Sequence, residues 1–129
     1  MQIVDGHNRR VLLVEDFADT RYMMRQLLEM SGYTVIEATD GREAVECAEK
    51  ECPDLILMDL SLPEVDGISA TRTIRKLEKL SDVPIIALTA HDTEDFYTAA
   101  RAAGCNEYVT KPVDFDRLDM LIGDFCPAM

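Results

Sequence analysis

The stretch from Leu55 to Gly67 reads LILMDLSLPEVDG, four apolar residues closed by an acid, Asp59, and followed by a turn-rich loop. Four apolar residues in a row describe a strand buried on both faces of a parallel sheet, and such strands offer their functional groups at the carboxyl end. An acid in that position is either exposed on the rim or held by cations, because burying a carboxylate unpaired is costly. Three other short apolar runs end on chemically pointed residues: VLLV runs into Glu15 and Asp16, IIAL into Thr89, and YVT into Lys111. If these strands are parallel, all five residues share one edge of the sheet. Three carboxylates in one crevice repel each other unless a hard cation lies among them, and Mg2+ favours a sparse oxygen site completed by water. The threonine hydroxyl and the lysine ammonium suit an oxyanion such as a phosphoryl group. Singly, each residue reads as a solvated strand end or a surface lysine. Their joint occurrence, each at the end of a strand, is what points to a site.

Those residues need elements to position them. Arg10 onward forms a first strand, and Asp19 is placed to cap a helix on which Met23, Leu27 and Met30 fall at helical spacing before Gly32. Tyr33 to Ala38 reads as a second strand. Asp40 with Glu43 resembles a capping box that opens a helix to about Lys50, with Ala44 and Ala48 inward and Pro53 barring its continuation. After the central strand, Ala70, Ile74 and Leu77 mark a third helix, and Ile85 to Leu88 is a fourth strand ending at Thr89. Thr93 caps a helix carrying Glu94 and Asp95 in its first turn and Phe96, Ala100 and Ala103 inward, which Gly104 stops. Tyr108 to Thr110 is a short fifth strand, and Asp114 caps a last helix that buries Phe115, Leu118 and Ile122. Five strands alternating with five helices predict an α/β fold, a five-stranded parallel sheet covered on both faces. No repeat or linker interrupts it, so residues 1–129 read as one domain with a core of about 10–125.

Composition narrows the function classes. The chain has 129 residues, with 25 acidic and 13 basic side chains giving a net charge of −12. That field disfavours direct binding to nucleic acid or anionic lipid and favours cations or basic protein surfaces. No apolar run approaches a membrane span, and the start MQIVDGHNRR lacks an apolar signal segment, so the expected compartment is the cytoplasm. Cys47, Cys52, Cys105 and Cys126 make no CxxC pair, and His7 and His91 are the only histidines to help them hold a metal. They read as reduced small hydrophobes, with Cys126 near the terminus the candidate reactive thiol.

The ED after the first strand, the MD…P…DG stretch, LTA and KP together resemble the response-regulator receiver domain, over about Arg10 to Phe125. Spacing agrees: 43 residues separate Asp16 from Asp59, 30 separate Asp59 from Thr89, and 52 separate Asp59 from Lys111. The resemblance implies a CheY-like, flavodoxin-like doubly wound sheet. It implies that Asp59 takes a phosphoryl group from a phosphohistidine on a histidine kinase or histidine phosphotransfer protein and later loses it to water. Such a domain catalyses its own phosphorylation and dephosphorylation but is chiefly a switch. By the same resemblance Asp16, Asp59 and the backbone carbonyl of Ser61 hold Mg2+, with Glu15 helping directly or through water. Lys111 offsets charge, Thr89 donates its hydroxyl to the phosphoryl oxygen, and the small Ala90 leaves room. Tyr108 is the aromatic switch, Lys111–Pro112 a cis bond, and the fourth helix, fifth strand and fifth helix form the surface read by a downstream protein. Ser61 and His91 flank the water path, and His91 is expected to govern the phosphoryl lifetime.

Rival chemistries lack their residues. A haloacid-dehalogenase-type phosphatase needs a second acid two positions after its nucleophile, where this chain has Ser61. A flavodoxin-like cofactor binder needs a hydroxyl- or Gly-rich loop where this chain has EDFAD, and no GxxxxGK is present for a P-loop. The remaining alternatives are a receiver module cut from a larger hybrid kinase or multidomain regulator, and a docking module that works without phosphorylation.

Overall fold

A computed structural model describes residues 9–60, 66–90 and 93–126. In chain order the elements are β1 (Arg10–Val14), α1 (Ala18–Met30), β2 (Thr34–Ala38), α2 (Gly41–Glu51), β3 (Leu55–Asp59), α3 (Gly67–Arg75), a 3-10 turn (Glu78–Leu80), β4 (Ile85–Thr89), α4 (Glu94–Ala103), β5 (Glu107–Thr110) and α5 (Phe115–Phe125). The strands pair in parallel in the order β2-β1-β3-β4-β5. This is the parallel sheet expected from the alternation, doubly wound as the resemblance implied.

Its two-sidedness follows from the period of a strand, which sends successive side chains to opposite faces. Val11, Leu13, Leu55, Leu57, Ile86 and Leu88 pack under Met24 and Leu28 of α1 and Leu118 and Ile122 of α5. Their neighbours Leu12, Val14, Ile56, Met58, Ile85 and Ala87 pack under Ala44, Ala48, Ala70, Ile74 and Ala100 of α2, α3 and α4. The central strands β3 and β4 are buried along their whole length, whereas β2 and β5 at the sheet edges are only partly so. Strand order reverses between β1 and β3, and a crevice opens there beyond the carboxyl ends of the strands. Glu15, Asp16 and Asp59 lie at that point.

Some expectations shift. In α1 the residues against the sheet are Met24 and Leu28, while Met23 and Met30 are exposed. Asp19 lies inside the first turn of α1, and the N-cap is Phe17, whose side chain makes no capping bond. Asp40 caps α2 as expected, accepting from the Glu43 amide at 2.8 Å, but Glu43 returns its carboxylate to the Thr39 N–H at 2.7 Å and so fastens the residue before the cap. Leu77 falls past the end of α3. Thr93 and Asp114 cap α4 and α5, and Gly104 ends α4 at φ 121°, a left-handed value that favours glycine. All four cysteines are free. Cys126 is buried and its thiol is pushed up by that burial, so it is not a reactive terminus; Cys52 is the exposed one.

Candidate functional site

The register of the sheet places the site. Val14 pairs with Met58 and Met58 with Ala87, so the residues that follow these pairs emerge together at the sheet edge. Each of Glu15, Asp16 and Asp59 offers a carboxylate oxygen within 4.8 Å of the others'. Glu15 and Asp59 are 2% and 1% exposed, while Asp16 faces solvent. From the end of β5, Lys111 Nζ donates to Asp59 Oδ2 at 3.0 Å and to Glu15 Oε1 at 3.3 Å. Its backbone N–H donates to the Thr89 carbonyl at 2.7 Å, tying β5 to the end of β4, and its bond to Pro112 is cis as the resemblance implied.

The electrostatics are those of a crowded anionic pocket with one cation among the described residues. Burial, and then the charge of Asp59, hold the Glu15 carboxyl above the usual carboxylate range; the Phe17 N–H, at 3.2 Å from Glu15 Oε2, and Lys111 work against the rise. For Lys111 burial is the largest single influence and disfavours the charge, but the hydrogen bond and charge of Asp59 together with Glu15 outweigh it and raise its pKa. Three oxygen ligands against one ammonium leave the pocket short of positive charge, and the donors are hard, so the residues present fit Mg2+.

Part of this geometry comes from Gly67, which the sequence placed in a turn-rich loop without a role in packing. A Cβ built on Gly67 would overlap the Asp59 carbonyl oxygen and lie 2.7 Å from Leu60 Cα, so only glycine lets the start of α3 approach the end of β3 this closely. Asp66 caps that helix by accepting from the Ser69 amide at 2.7 Å. The signal was present in the DG pair.

The family described as Response regulator receiver domain matches residues 11–122. The chain belongs to that family. It is 38% identical over 109 residues to the polar-differentiation response regulator DivK of Brucella ovis, spanning 84% of this chain and 89% of that protein. Among solved structures it is similar to the receiver domain of the sensor histidine kinase PA1611 from Pseudomonas aeruginosa PAO1, crystallised with a magnesium ion coordinated in the active site cleft. That likeness has 39% identity and a TM-score of 0.86, over 92% of this chain and 98% of the other. The Vibrio cholerae chemotaxis protein CheY4 gives a TM-score of 0.88 at 28% identity, over 92% and 99% of the two chains. This receiver domain is a component of two-component signalling, and its acidic cluster supports Mg2+ binding.

The other expected site residues occupy two places. Thr89 is fully buried at the end of β4, with the exposed Ala90 following it. Tyr108 pairs with Ala87 across β4 and β5, which puts it on the sheet face covered by α4. Its ring lies 5.1 Å from that of Tyr97, inclined at 55°. Tyr97 in turn accepts hydrogen bonds at its hydroxyl from Arg101 Nε and an Nη at 3.0 and 2.7 Å. Ser61 and His91 lie outside the described residues.

Proposed function

We propose that this receiver domain accepts a phosphoryl group on Asp59 from the phosphohistidine of a histidine kinase or a histidine phosphotransfer protein. The observation that carries the reading is the Asp59 carboxylate at the end of β3, within 4.8 Å of Glu15 and Asp16 oxygens and 3.0 Å from Lys111 Nζ. A carboxylate oxygen of Asp59 attacks phosphorus while the P–N bond breaks and the imidazole keeps its electron pair; later, water attacks phosphorus and the acyl phosphate yields carboxylate and inorganic phosphate. Asp16, Asp59 and the Ser61 carbonyl would hold Mg2+, with Glu15 direct or through water, and the ion when bound offsets the repulsion between the carboxylate and the phosphoryl oxygens. Lys111 exchanges its hold on Asp59 for a phosphoryl oxygen, and the Thr89 hydroxyl binds another. Thr89 and Tyr108 lie on one sheet face beneath α4, which supports output through the face of α4, β5 and α5 to a downstream protein.

Two core layers running through all the described elements support one domain over residues 1–129. The family's phosphodonor proteins and the four free cysteines support a cytoplasmic setting, and no helix among the described residues is long and apolar enough to cross a membrane. A second reading, the receiver module of a longer hybrid kinase or multidomain regulator, is favoured by the likeness to the PA1611 receiver domain. Immunoblotting of native cells separates the two by a band at or above the size of this chain.

The reaction is tested with a small-molecule phosphodonor in Mg2+. Wild type is expected to gain one phosphoryl group and Asp59→Asn none; equal labelling of the variant would place the nucleophile elsewhere.

A further inference from the structure

The loop that carries Glu15 and Asp16 is fastened from outside the site. Arg21, one turn into α1, donates from Nη1 to the Glu15 carbonyl at 2.9 Å and reaches the Asp16 carbonyl at 3.5 Å, the limit of a hydrogen bond. Its Nε donates to Glu37 Oε1 at 3.1 Å, from the half-buried middle of β2. Arg25, one turn further along α1, binds the other oxygen of Glu37 and, at 3.2 Å, Glu29. The fork of Arg21 is therefore aimed by an acid on the edge strand at the backbone of the acidic loop. Two arginines face two glutamates, so the network adds no net charge beside the carboxylates.

Other bonds of the loop engage its N–H groups, the Phe17 N–H donating to Glu15 Oε2 at 3.2 Å. Phe17 at the N-cap of α1 supplies no side-chain capping bond. Glu15 N–H is held by the Ala38 carbonyl at 3.0 Å, but the carbonyls of Glu15 and Asp16 point along the helix side of the loop, toward Arg21.

We propose that Arg21 is a positioning residue for the Mg2+ site: held by Glu37, it clamps the Glu15 and Asp16 carbonyls and so keeps the two carboxylates of that loop aligned with Asp59. This rests on the reading that the acidic cluster binds Mg2+. Electrostatics alone gives the opposite expectation, because a cation near a cation site weakens binding and its removal would tighten it. Position and charge therefore predict opposite signs.

The test is a Mg2+ titration followed through backbone-amide NMR shifts, comparing wild type with Arg21→Ala, Arg21→Lys and Arg25→Ala. The two alanine variants change the charge equally and each leaves Glu37 one arginine; they differ in that Arg21 touches the loop. Losing a partner that orients metal ligands costs about 10–100-fold in affinity, so Arg21→Ala and Arg21→Lys are expected to bind Mg2+ about tenfold or more weakly, and Arg25→Ala to stay within about twofold of wild type. In the metal-free protein, hydrogen exchange at the Phe17 amide should speed up in both Arg21 variants while Leu118 and Ile122 of α5 stay protected. If Arg21→Ala fails to fold, those α5 amides reveal it and Arg21→Lys decides. Unchanged or tighter Mg2+ binding in the Arg21 variants, or equal effects at Arg21 and Arg25, would overturn the clamp. Absence of Mg2+ binding by wild type would instead refute the metal-site reading, and the hydrogen-exchange comparison would still judge the clamp.

Discussion

The crevice at the ends of β1 and β3 and the flank formed by α4 are held in contrasting ways. In the crevice, Glu15 and Asp59 are buried and share one lysine, the loop between β1 and α1 is tied to β2 and α1, and Gly67 lets α3 abut the end of β3. On the flank, α4 is anchored at its C-terminal end: Ala100 and Ala103 are buried and the Gly104 carbonyl accepts from Arg75 at 3.0 and 2.8 Å. Its first turn, Thr93 to Asp95, lies in solvent, and Tyr97 is 37% exposed. Tyr108 bridges the two regions, since it extends from the strand that leads into Lys111 and its ring meets that of Tyr97 of α4 at a tilt. The contrast separates two requirements. Chemistry needs groups held in place before the reactant arrives, whereas a reporter needs an element whose local stability is low enough for a small differential interaction to shift its population.

The largest effect that would break this picture concerns Lys111, whose ammonium holds both buried acids of the crevice. Lys111→Met leaves Glu15 and Asp59 without that partner and takes away a charge-matched donor, and loss of one such donor typically lowers a rate by about 10²–10³. Phosphorylation from a small-molecule donor at saturating Mg2+ is expected to slow by about that factor, and a rate within a few-fold of wild type would remove Lys111 from the machinery.

A smaller effect sharpens the structural side. Gly67→Ala forces its Cβ onto the Asp59 carbonyl and should destabilise the fold by about 1–3 kcal/mol, read by urea unfolding. The same change at Gly123, where an added Cβ meets nothing within 4 Å, should leave the fold at least as stable.

The smallest effect is a pH dependence. Burial and Asp59 raise the Glu15 pKa in the folded protein, so between its unfolded and folded values the native state binds the extra proton. Its contribution is favourable below the unfolded value and is lost as pH rises through the folded one. Thermal melts of metal-free protein should therefore show Glu15→Gln gaining on wild type as pH rises from 4 to 7, and Mg2+ should narrow or reverse the gain. A difference independent of pH would mean that burial and Asp59 do not raise the Glu15 pKa.

Much of this was legible in the sequence because strand ends do chemistry in a parallel sheet, and apolar runs such as LILM and IIAL announce the strands directly. The caps at Asp40, Thr93 and Asp114 were readable for a similar reason: a short polar side chain ahead of an amphipathic run has few other uses. The α1 face was not, because YMMRQLLEM contains two overlapping apolar stripes. Met24 and Leu28 meet the sheet, while Met23 and Leu27 line a groove with Lys111, Pro112, Val113 and Phe115. Only the helix's seat on the sheet chooses between them. Arg21 escaped notice because its targets are backbone carbonyls, which leave no mark on residue type. Cys126 was misjudged from its place near the chain end; Tyr33 donates its hydroxyl to the Cys126 carbonyl at 2.9 Å and helps to hold that end against the core.

The central claim, that phosphorylation at a rigid crevice is read at a compliant flank, is tested most directly by amide NMR of the Mg2+ protein with and without beryllium fluoride, a phosphoryl mimic. Large shifts are expected at Thr89, along α4 and at Tyr108, with Arg21, Arg25 and Glu37 nearly unmoved; shifts confined to the neighbours of Asp59, with α4 and Tyr108 unchanged, would contradict that claim.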